Sequence, residues 1–219
     1  MCAANRRYNG LVVTLRRGSP ILPSTMATTP KILAFAGSTR VESFNKKLVK
    51  IATAGAGKAG AELTVIDLRD FPLPLYDGDL EERDGLPANA KKLKQLFLAH
   101  DGLLLSCPEY NSGITAVLKN TLDWVSRAES DDEKPLACYA GKVAGLMSAS
   151  PGALGGLRGL VQVRAILGNI KVLVLPDQIA VSKAHDAFHP DGSLKDAKQQ
   201  VAVEKLGATL AATLAKLKA

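Results

Sequence analysis

Residues 31–51 read KILAFAGSTRVESFNKKLVKI, and this stretch contains the pattern that decides the fold. Its first six residues, KILAFA, form an almost unbroken apolar run, which indicates a strand buried on both faces. Phe44, Leu48 and Ile51 then recur with the spacing of one helix face. Between the strand and the helix lies GSTRVESFN, residues 37–45, made of small and hydroxylated residues around one arginine. The stretch predicts a βα unit with an unusual loop.

The loop at 37–45 has the chemistry of an anion site. A helix N-terminus carries partial positive charge and unpaired N–H groups, so it presents several donors to one point. Donor side chains of the loop are Ser38, Thr39, Arg40, Ser43 and Asn45. Arg40 can hold two phosphate oxygens at once. Ser43 could be an ordinary helix cap below a solvated arginine, but a cap needs only one hydroxyl, so we favour a phosphate site.

Four more apolar runs follow along the chain, at residues 61–68, 101–108, 141–150 and 170–176. Most of the loops after them lead into helical periodicity. Continuous apolar strands belong to parallel sheets that helices cover on both sides. We therefore predict an α/β fold, a doubly wound three-layer sandwich with a five-stranded parallel sheet. Two strand orders are common for such a sheet, and we adopt the flavodoxin-like order 2-1-3-4-5, in which the first, third and fourth strands are neighbours.

Three predicted helical regions need a closer description. Residues 113–127 carry two adjacent apolar stripes, Leu118, Leu122 and Val125 beside Val117, Thr121 and Trp124. This pattern fits a deeply buried helix and a subunit interface equally well. A C-terminal helix is predicted from the stripe Val201, Leu206, Leu210, Leu214 and Leu217. Pro87 suits the first position of a helix that follows an acidic loop at 76–85.

Three loops that follow strands have unusual chemistry, and they lie at 37–45, 108–113 and 148–156. They come after the first, third and fourth strands, whose carboxyl ends are adjacent in the predicted order. Ligands of such sheets bind at this point, where the winding reverses. The three loops should therefore form one site.

The second and third loops offer surfaces for a flat ligand. In PEYNSG an aromatic face stands beside polar groups, at Tyr110, Asn111 and Ser112. A plain turn with a helix beginning at Ser112 explains this loop equally well. In SASPGALGG the relevant residues are Ser148, Ser150, Gly152, Gly155 and Gly156. Glycines expose N–H groups and allow a ligand to approach the backbone closely, although a flexible connection would also use them.

The segment GAGKAG at 55–60 matches the dinucleotide fingerprint G-x-G-x-x-G letter for letter. That fingerprint must follow a strand and open a helix, whereas this segment closes a helix and precedes a strand. We interpret it as a helix C-terminus. Neither a Walker motif nor a G-x-S-x-G motif occurs, which argues against NTPases and α/β-hydrolases.

Composition argues against several other classes. Four of the charges behind the net +7 are the arginines Arg6, Arg7, Arg16 and Arg17, and no basic stripe with interleaved aromatics occurs elsewhere, so we expect no nucleic-acid partner. No apolar run approaches the roughly 18 residues of a membrane span, so we expect no membrane partner either. The three cysteines and three histidines lack metal-ligand spacing, which predicts no metal site and a reducing compartment.

Residues 1–29 contain arginines but no acidic residue, and they show no regular apolar period. We interpret them as a disordered N-terminal extension ahead of a single domain at 30–219, with Met26 as a natural start. A cytoplasmic location is expected. An organellar transit peptide has the same composition, so that alternative stays open.

Three motifs occur in order along the chain: GSTRVESFNKKL, PEYNSGITAVLKNTLDWVSR and SASPGALGGLRGL. At these motifs the sequence resembles the NADPH-dependent FMN reductase family, flavodoxin-like enzymes that include quinone, azo-dye and chromate reductases. The resemblance covers roughly residues 31–185. It implies bound FMN as cofactor and NADPH or NADH as the hydride donor.

The resemblance also implies a set of FMN-binding residues. The phosphate would be held by Ser38, Arg40, Ser43 and Asn45. The isoalloxazine would lie along Pro108, Glu109, Tyr110 and Asn111, and its pyrimidine end would face Ser148, Gly152 and Gly155. From the same loops we add Phe44, Ser112, Gly113, Ser150 and Gly156 to the predicted cofactor site. No catalytic side chain is implied, because the flavin carries the chemistry.

The implied function is a two-electron oxidoreductase that reduces quinones, azo compounds, chromate or free flavin by a ping-pong hydride mechanism. Its partners would be these small-molecule electron acceptors, and relatives of this kind form homodimers or homotetramers. A flavodoxin-type electron carrier and an FMN-binding regulatory module are the alternatives. Flavodoxin-type carriers usually have a T-x-T-G-x-T phosphate loop and a strongly acidic chain, and this sequence has neither.

Overall fold

The computed structural model describes residues 28–219, which contain one parallel five-stranded sheet and one short hairpin. The strands are β1 Lys31–Ala36, β2 Glu62–Ile66, β3 Gly102–Ser106, β4 Glu109–Tyr110, β5 Gly113–Ile114, β6 Val143–Ala149 and β7 Leu173–Val181. The large sheet has the order β2-β1-β3-β6-β7, and all its pairs are parallel. Because β4 and β5 form the separate hairpin, the predicted order 2-1-3-4-5 is confirmed.

Helices cover both faces of the sheet. They are α1 Phe44–Lys58, α2 Gly78–Asp84, α3 Ala88–Ala99, α4 Ala116–Ser126, α5 Leu157–Asn169, α6 Ala184–Ala187 and α7 Ala197–Leu217. One apolar core contains residues of α1 and α7, and a second contains residues of α3, α4 and α5. The two cores lie on opposite sides of the sheet, since neighbouring strand residues alternate between them. The three-layer prediction is confirmed.

Three of the five apolar runs form the buried centre of the sheet, and the other two contribute to its edges. Every residue of β3 and β6 is buried, and β1 is buried after Lys31. The edge strands β2 and β7 are only partly buried. This difference follows from position, because an edge strand has one neighbour and less cover than a central strand.

Three local predictions are wrong. The expected acidic loop at 76–85 contains α2, which begins where the Asp77 side chain accepts a hydrogen bond from the Asp79 N–H. Pro87 is the N-cap of α3 rather than its first residue. In the C-terminal stripe Val201 and Leu217 are 64% and 63% exposed, because they lie off the buried face of α7. Intrinsic propensity and one-dimensional spacing do not resolve such boundaries.

The second stripe of α4 is buried within the chain. Trp124 is 0% exposed, and its indole N–H donates to the Pro74 carbonyl oxygen at 2.8 Å. The Tyr76 ring meets it edge-on at 5.1 Å between centroids. Arg127 and Glu81 form an ion pair that attaches α2 to the end of α4. The structure therefore favours the buried-helix interpretation of this stripe over a subunit interface.

The segment GAGKAG lies where the sequence predicts it, at the C-terminal end of α1, which ends at Lys58. Its first glycine, Gly55, faces the backbone of Glu204 in α7, and Gly207 of α7 faces the backbone of Ala52 in α1. These glycines let the two helices approach closely. The segment is a packing motif and not a nucleotide site.

Residues 1–27 lie outside the described part of the structure, so the N-terminal extension and the domain boundary at 29/30 stay predictions. Deleting residues 1–26 should leave the thermal unfolding midpoint and the bound flavin content unchanged, because nothing in that segment is patterned to pack on a core. Differential scanning calorimetry and flavin absorbance of the truncated and full chains measure both. A midpoint lower by many degrees, or loss of flavin, would contradict the prediction.

Candidate functional site

The structure brings the three post-strand loops to one crevice at the carboxyl ends of β1, β3 and β6. These strands are neighbours, so their loops leave the sheet side by side. The crevice is lined by Ser38, Arg40, Ser43, Phe44, Asn45, Pro108, Glu109, Tyr110, Ala149, Ser150 and Pro151. Ala149 and Pro151 were not predicted, since neither carries a group whose chemistry marks a site.

The crevice is shallow. Its enclosed volume is about 50 Å³, well below the roughly 300 Å³ at which drug-sized ligand pockets begin. A planar ligand bound here would rest on the walls and keep much of one face open to solvent.

In the first loop the hydroxyls of Ser38 and Ser43 lie on residues that are only 3% and 4% exposed. Ser38 Oγ accepts a hydrogen bond from the Arg40 N–H at 3.2 Å, which curves the loop around the crevice. Ser43 is the N-cap of α1 but makes no side-chain capping hydrogen bond. The ordinary-cap interpretation of Ser43 therefore fails, and the first N–H groups of α1 are left for another acceptor.

Arg40 and Thr39 have different surroundings. Arg40 is exposed at the crevice, and no acidic side chain within residues 28–219 forms an ion pair with it. Its guanidinium is free to bind an anion in two-pronged geometry. Thr39 instead lines a separate cavity with Arg69, Phe71 and Asn120, so it does not join the other donors.

Phe44 and Asn45, the first two residues of α1, both line the crevice but make strong contacts within the protein. The Phe44 ring stacks on Phe188 at 5.9 Å between centroids, with an interplanar angle of 8°. Asn45 is 3% exposed, and its amide bonds to β3 and to the end of β6. These two side chains hold the start of α1 in place.

The second loop is a tight hairpin formed by β4 and β5. Its two central residues, Asn111 and Ser112, have φ values of 51° and 66°. Two successive left-handed residues are typical of a type I′ turn, which matches the twist of the strands it joins. The hairpin ends in Gly113 and Ile114. It leaves Tyr110 54% exposed.

The alternative that a helix begins at Ser112 is wrong. Helix α4 begins after Thr115, whose hydroxyl accepts a hydrogen bond from the Leu118 N–H at 3.3 Å. The same hydroxyl donates to the Gly37 carbonyl oxygen at 2.7 Å. Thr115 thereby attaches the second loop to the first, a contact that joins residues far apart in the sequence.

Glu109 directs its carboxylate to α5. Oε1 accepts hydrogen bonds from Arg158 at 3.0 and 2.8 Å, and Oε2 accepts one from the Gly159 N–H at 2.9 Å. Burial alone would raise the pKa of Glu109, but the hydrogen bonds from Gly159 and Arg158 outweigh it and hold the pKa below its usual value. Glu109 is ionised at neutral pH and attaches the hairpin to the first turn of α5. Arg158 was not predicted, because nothing local to it signals this partner.

The glycines of the third loop serve mainly the protein itself. A Cβ at Gly155, where φ is 61°, would lie 2.7 Å from the Val181 carbonyl carbon. A Cβ at Gly156, where φ is 91°, would lie 2.0 Å from Ser148 Oγ. Of the three, only Gly152 could accept a Cβ without a clash, since its nearest neighbour would be Ser150 Oγ at 3.8 Å. Gly155 and Gly156 were expected to let a ligand come close to the backbone. Their lack of a side chain instead makes room for Val181 and Ser148 of the protein itself.

Ser148 contains the clearest sign of an absent partner. Its Oγ is the one buried side-chain N or O atom within residues 28–219 that has no hydrogen-bond partner. Buried hydroxyls normally have partners, since an unsatisfied one costs free energy. Ser148 directly precedes Ala149 and Ser150, which line the crevice. Together with the uncapped start of α1 and the unpaired Arg40, it fits a phosphorylated ligand with polar groups at its other end.

Among the described residues that line this crevice Glu109 is the only carboxylate, and Arg158 and Gly159 already bind it. Burial raises the pKa of Cys107, at the end of β3, to about 12, so its thiol stays protonated. Within the described chain no histidine lines the crevice. The Ala184 N–H donates to the Ser150 carbonyl oxygen, so the residue before His185 contacts the third loop. Among residues 28–219 no group of three or more potential ligands could hold a metal ion. The same residues include no helix that is long and apolar enough to cross a membrane.

A doubly wound parallel sheet in this strand order, with a crevice at its switch point, defines a flavodoxin-like fold. Residues 30–186 match the sequence profile of the NADPH-dependent FMN reductase family, so the chain belongs to this family. Members of the family bind FMN and use NAD(P)H, and the protein is an oxidoreductase. A carrier without nicotinamide chemistry is correspondingly disfavoured.

Individual proteins support the same grouping. The chain is 31% identical over 181 residues to an NAD(P)H-dependent FMN reductase of Pseudomonas aeruginosa, covering 82% of this chain and 92% of that protein. It is 32% identical over 154 residues to a quinone reductase of Escherichia coli strain K12, covering 68% and 76%. Its fold is similar to that of the flavoenzyme NAD(P)H:(acceptor) oxidoreductase FerB from Paracoccus denitrificans, with a TM-score of 0.72, 24% identity, and coverage of 86% and 98%.

Proposed function

We propose that the protein is an NAD(P)H-dependent, FMN-containing reductase that transfers two electrons to quinones and related small acceptors. The observation that carries this proposal is the uncapped N-terminus of α1 beside the unpaired Arg40, at the edge of a shallow crevice. Family membership supports the cofactor, and the relative named quinone reductase supports the acceptor class. Azo compounds, chromate and free flavin are further acceptors that the same open face could serve.

In this proposal each loop has a separate task. Ser38, Arg40 and Ser43 bind the phosphate together with the first N–H groups of α1. Tyr110 and its hairpin would support the ring system, and the loop that follows Ser148 would face the polar end of the ring. When bound, FMN would supply the two-electron chemistry that links hydride donation by NAD(P)H to reduction of an acceptor. The protein orients the cofactor, keeps one face accessible and supplies no side-chain acid or base.

The assembly and location proposed from the sequence complete this picture. A homodimer or homotetramer in the cytoplasm is consistent with the resemblance described above. An absorption spectrum of the purified protein tests for bound FMN. NAD(P)H oxidation with a panel of quinones, azo dyes, chromate and free FMN then identifies the acceptor. A colourless protein that takes up no FMN would overturn the proposed function.

Kinetics should reveal a single open face. If the nicotinamide and the acceptor use the same face in turn, the first product leaves before the second substrate binds, and double-reciprocal plots should be parallel. Replacing His100, His185 and His189 together by glutamine should change kcat only a few-fold, whereas loss of a true general acid or base typically costs about 10²- to 10⁴-fold. His100 also bonds to Leu96 O and Thr64 Oγ1, so His185→Gln with His189→Gln is the matched control.

Intersecting plots would contradict the single-face mechanism and indicate a ternary complex. A hundredfold loss of kcat in a triple variant that still binds FMN would place a histidine in the chemistry. The double variant then tells whether the loss comes from His185 and His189 or from the buried His100.

A further inference from the structure

We infer that Asn45 is a positioning residue, which sets the first and third loops at the separation that one FMN molecule requires. This inference rests on the proposed placement of FMN in the crevice. It differs from the role that the sequence resemblance implies, in which Asn45 binds the phosphate directly. The difference can be measured, because FMN and riboflavin share a ring system and differ only in the phosphate.

The Asn45 amide connects three elements of the sheet edge. Its Nδ2 donates to the Ala149 carbonyl oxygen at 2.8 Å. Its Oδ1 accepts hydrogen bonds from the Ser106 hydroxyl at 2.8 Å and from the Ala149 N–H at 3.0 Å. Asn45 belongs to α1, Ser106 ends β3 and Ala149 ends β6. We call these three bonds the Asn45 tie.

The chemistry of the tie requires a neutral amide. Oδ1 uses both of its lone pairs and Nδ2 uses one of its two N–H groups, so only one hydrogen-bonding position of the side chain remains. Ser106 is 0% exposed and Asn45 is 3% exposed, so water cannot easily replace a lost partner. An aspartate in this position would lose the donor and bring a charge to the phosphate loop.

The tie acts on both ends of the proposed cofactor site. Asn45 lies two residues after Ser43, at the N-terminus that would face the phosphate. Ala149 lies between Ser148 and Ser150, in the loop that would face the ring. A ligand that must contact both loops gains affinity when their separation is set in advance. Releasing the tie should therefore weaken the ring contacts as well as the phosphate contacts.

The test measures FMN and riboflavin affinity in the full chain by flavin fluorescence quenching. In Asn45→Ala both affinities should fall by a similar factor, about five- to tenfold for the net loss of buried hydrogen bonds. Ser106→Ala removes one bond of the tie and should lower both affinities by a smaller common factor. Tyr139→Phe removes a buried hydrogen bond to Leu122 O and serves as the control, with both affinities unchanged.

A fall in FMN affinity with unchanged riboflavin affinity in Asn45→Ala would overturn the inference, since it would make Asn45 a direct phosphate ligand. Unchanged affinity for both flavins would overturn it too. If Asn45→Ala does not fold, the milder Ser106→Ala decides between the same outcomes. Failure of the unmodified protein to bind either flavin would refute the proposed function itself.

Discussion

Replacing Arg40 by alanine should weaken FMN binding by about ten- to a hundredfold and leave riboflavin affinity almost unchanged. A hydrogen bond to a charged group contributes roughly 1.5–3 kcal/mol. No acidic side chain within residues 28–219 pairs with Arg40, so its guanidinium is free to make this contact. The expected effect is large because Arg40 is the one arginine that lines the crevice. The selective loss is the reverse of the pattern expected for Asn45→Ala.

Fluorescence titration with FMN and riboflavin measures both affinities of the Arg40→Ala variant. Arg83→Ala is the matched control, because it removes an equal charge from an exposed arginine that pairs with Asp84 on α2. The control should bind both flavins normally. An Arg40→Ala protein with unchanged FMN affinity would remove Arg40 from the site and leave the phosphate to the serines and the helix N-terminus.

Gly55→Ala should cause the largest loss of stability among the single substitutions considered. A Cβ at this position would lie 1.9 Å from the Glu204 carbonyl oxygen and 2.7 Å from its Cα, so helices α1 and α7 would have to separate. Overpacking of this kind typically costs about 1–3 kcal/mol and sometimes more. At this chain length 3 kcal/mol corresponds to a fall in Tm of about 6–12 °C.

Gly57→Ala, two residues along the same helix, is the matched control. Gly57 is exposed and a Cβ would meet only Leu63 Cδ1, at 3.5 Å. Alanine is the better helix former, so this variant should be more stable by about 0.5–1 kcal/mol. Calorimetric unfolding of both variants gives the comparison. Equal midpoints would show that α1 and α7 can move apart freely, contrary to the packing described here.

The architecture could be predicted because its signals are local and repeated. Continuous apolar runs identified the central strands, and their alternation with helical periodicity identified a parallel sheet. Where apolar pattern was weak the prediction failed, as in α2, whose seven residues include five that are charged. Its helix depends on the Asp77 cap and on the Glu81–Arg127 ion pair, which involves a residue 46 positions away.

The candidate site was predictable to a different degree. Residue chemistry alone identified the three loops, and strand order explained why they should meet. It could not distinguish side chains that face the crevice from those used by the protein, because that depends on neighbours from distant segments. Glu109 with Arg158 and Gly155 with Val181 are such pairs. For the same reason the sequence could not show that Ser38 lines the crevice whereas Thr39 lines a different cavity.

The sequence by itself determined the three-layer α/β architecture, the position of the anion loop and the family, since each depends on local residue patterns that recur or stand in order along the chain. Only the tertiary structure decided that Trp124 is covered by its own chain, that Ser43 leaves the start of α1 uncapped and that the Asn45 amide is largely occupied. These features are set by hydrogen bonds and contacts between segments up to 104 residues apart. Propensity and spacing carry no information about which of two polar side chains finds a partner, because that partner comes into reach only after the sheet has formed.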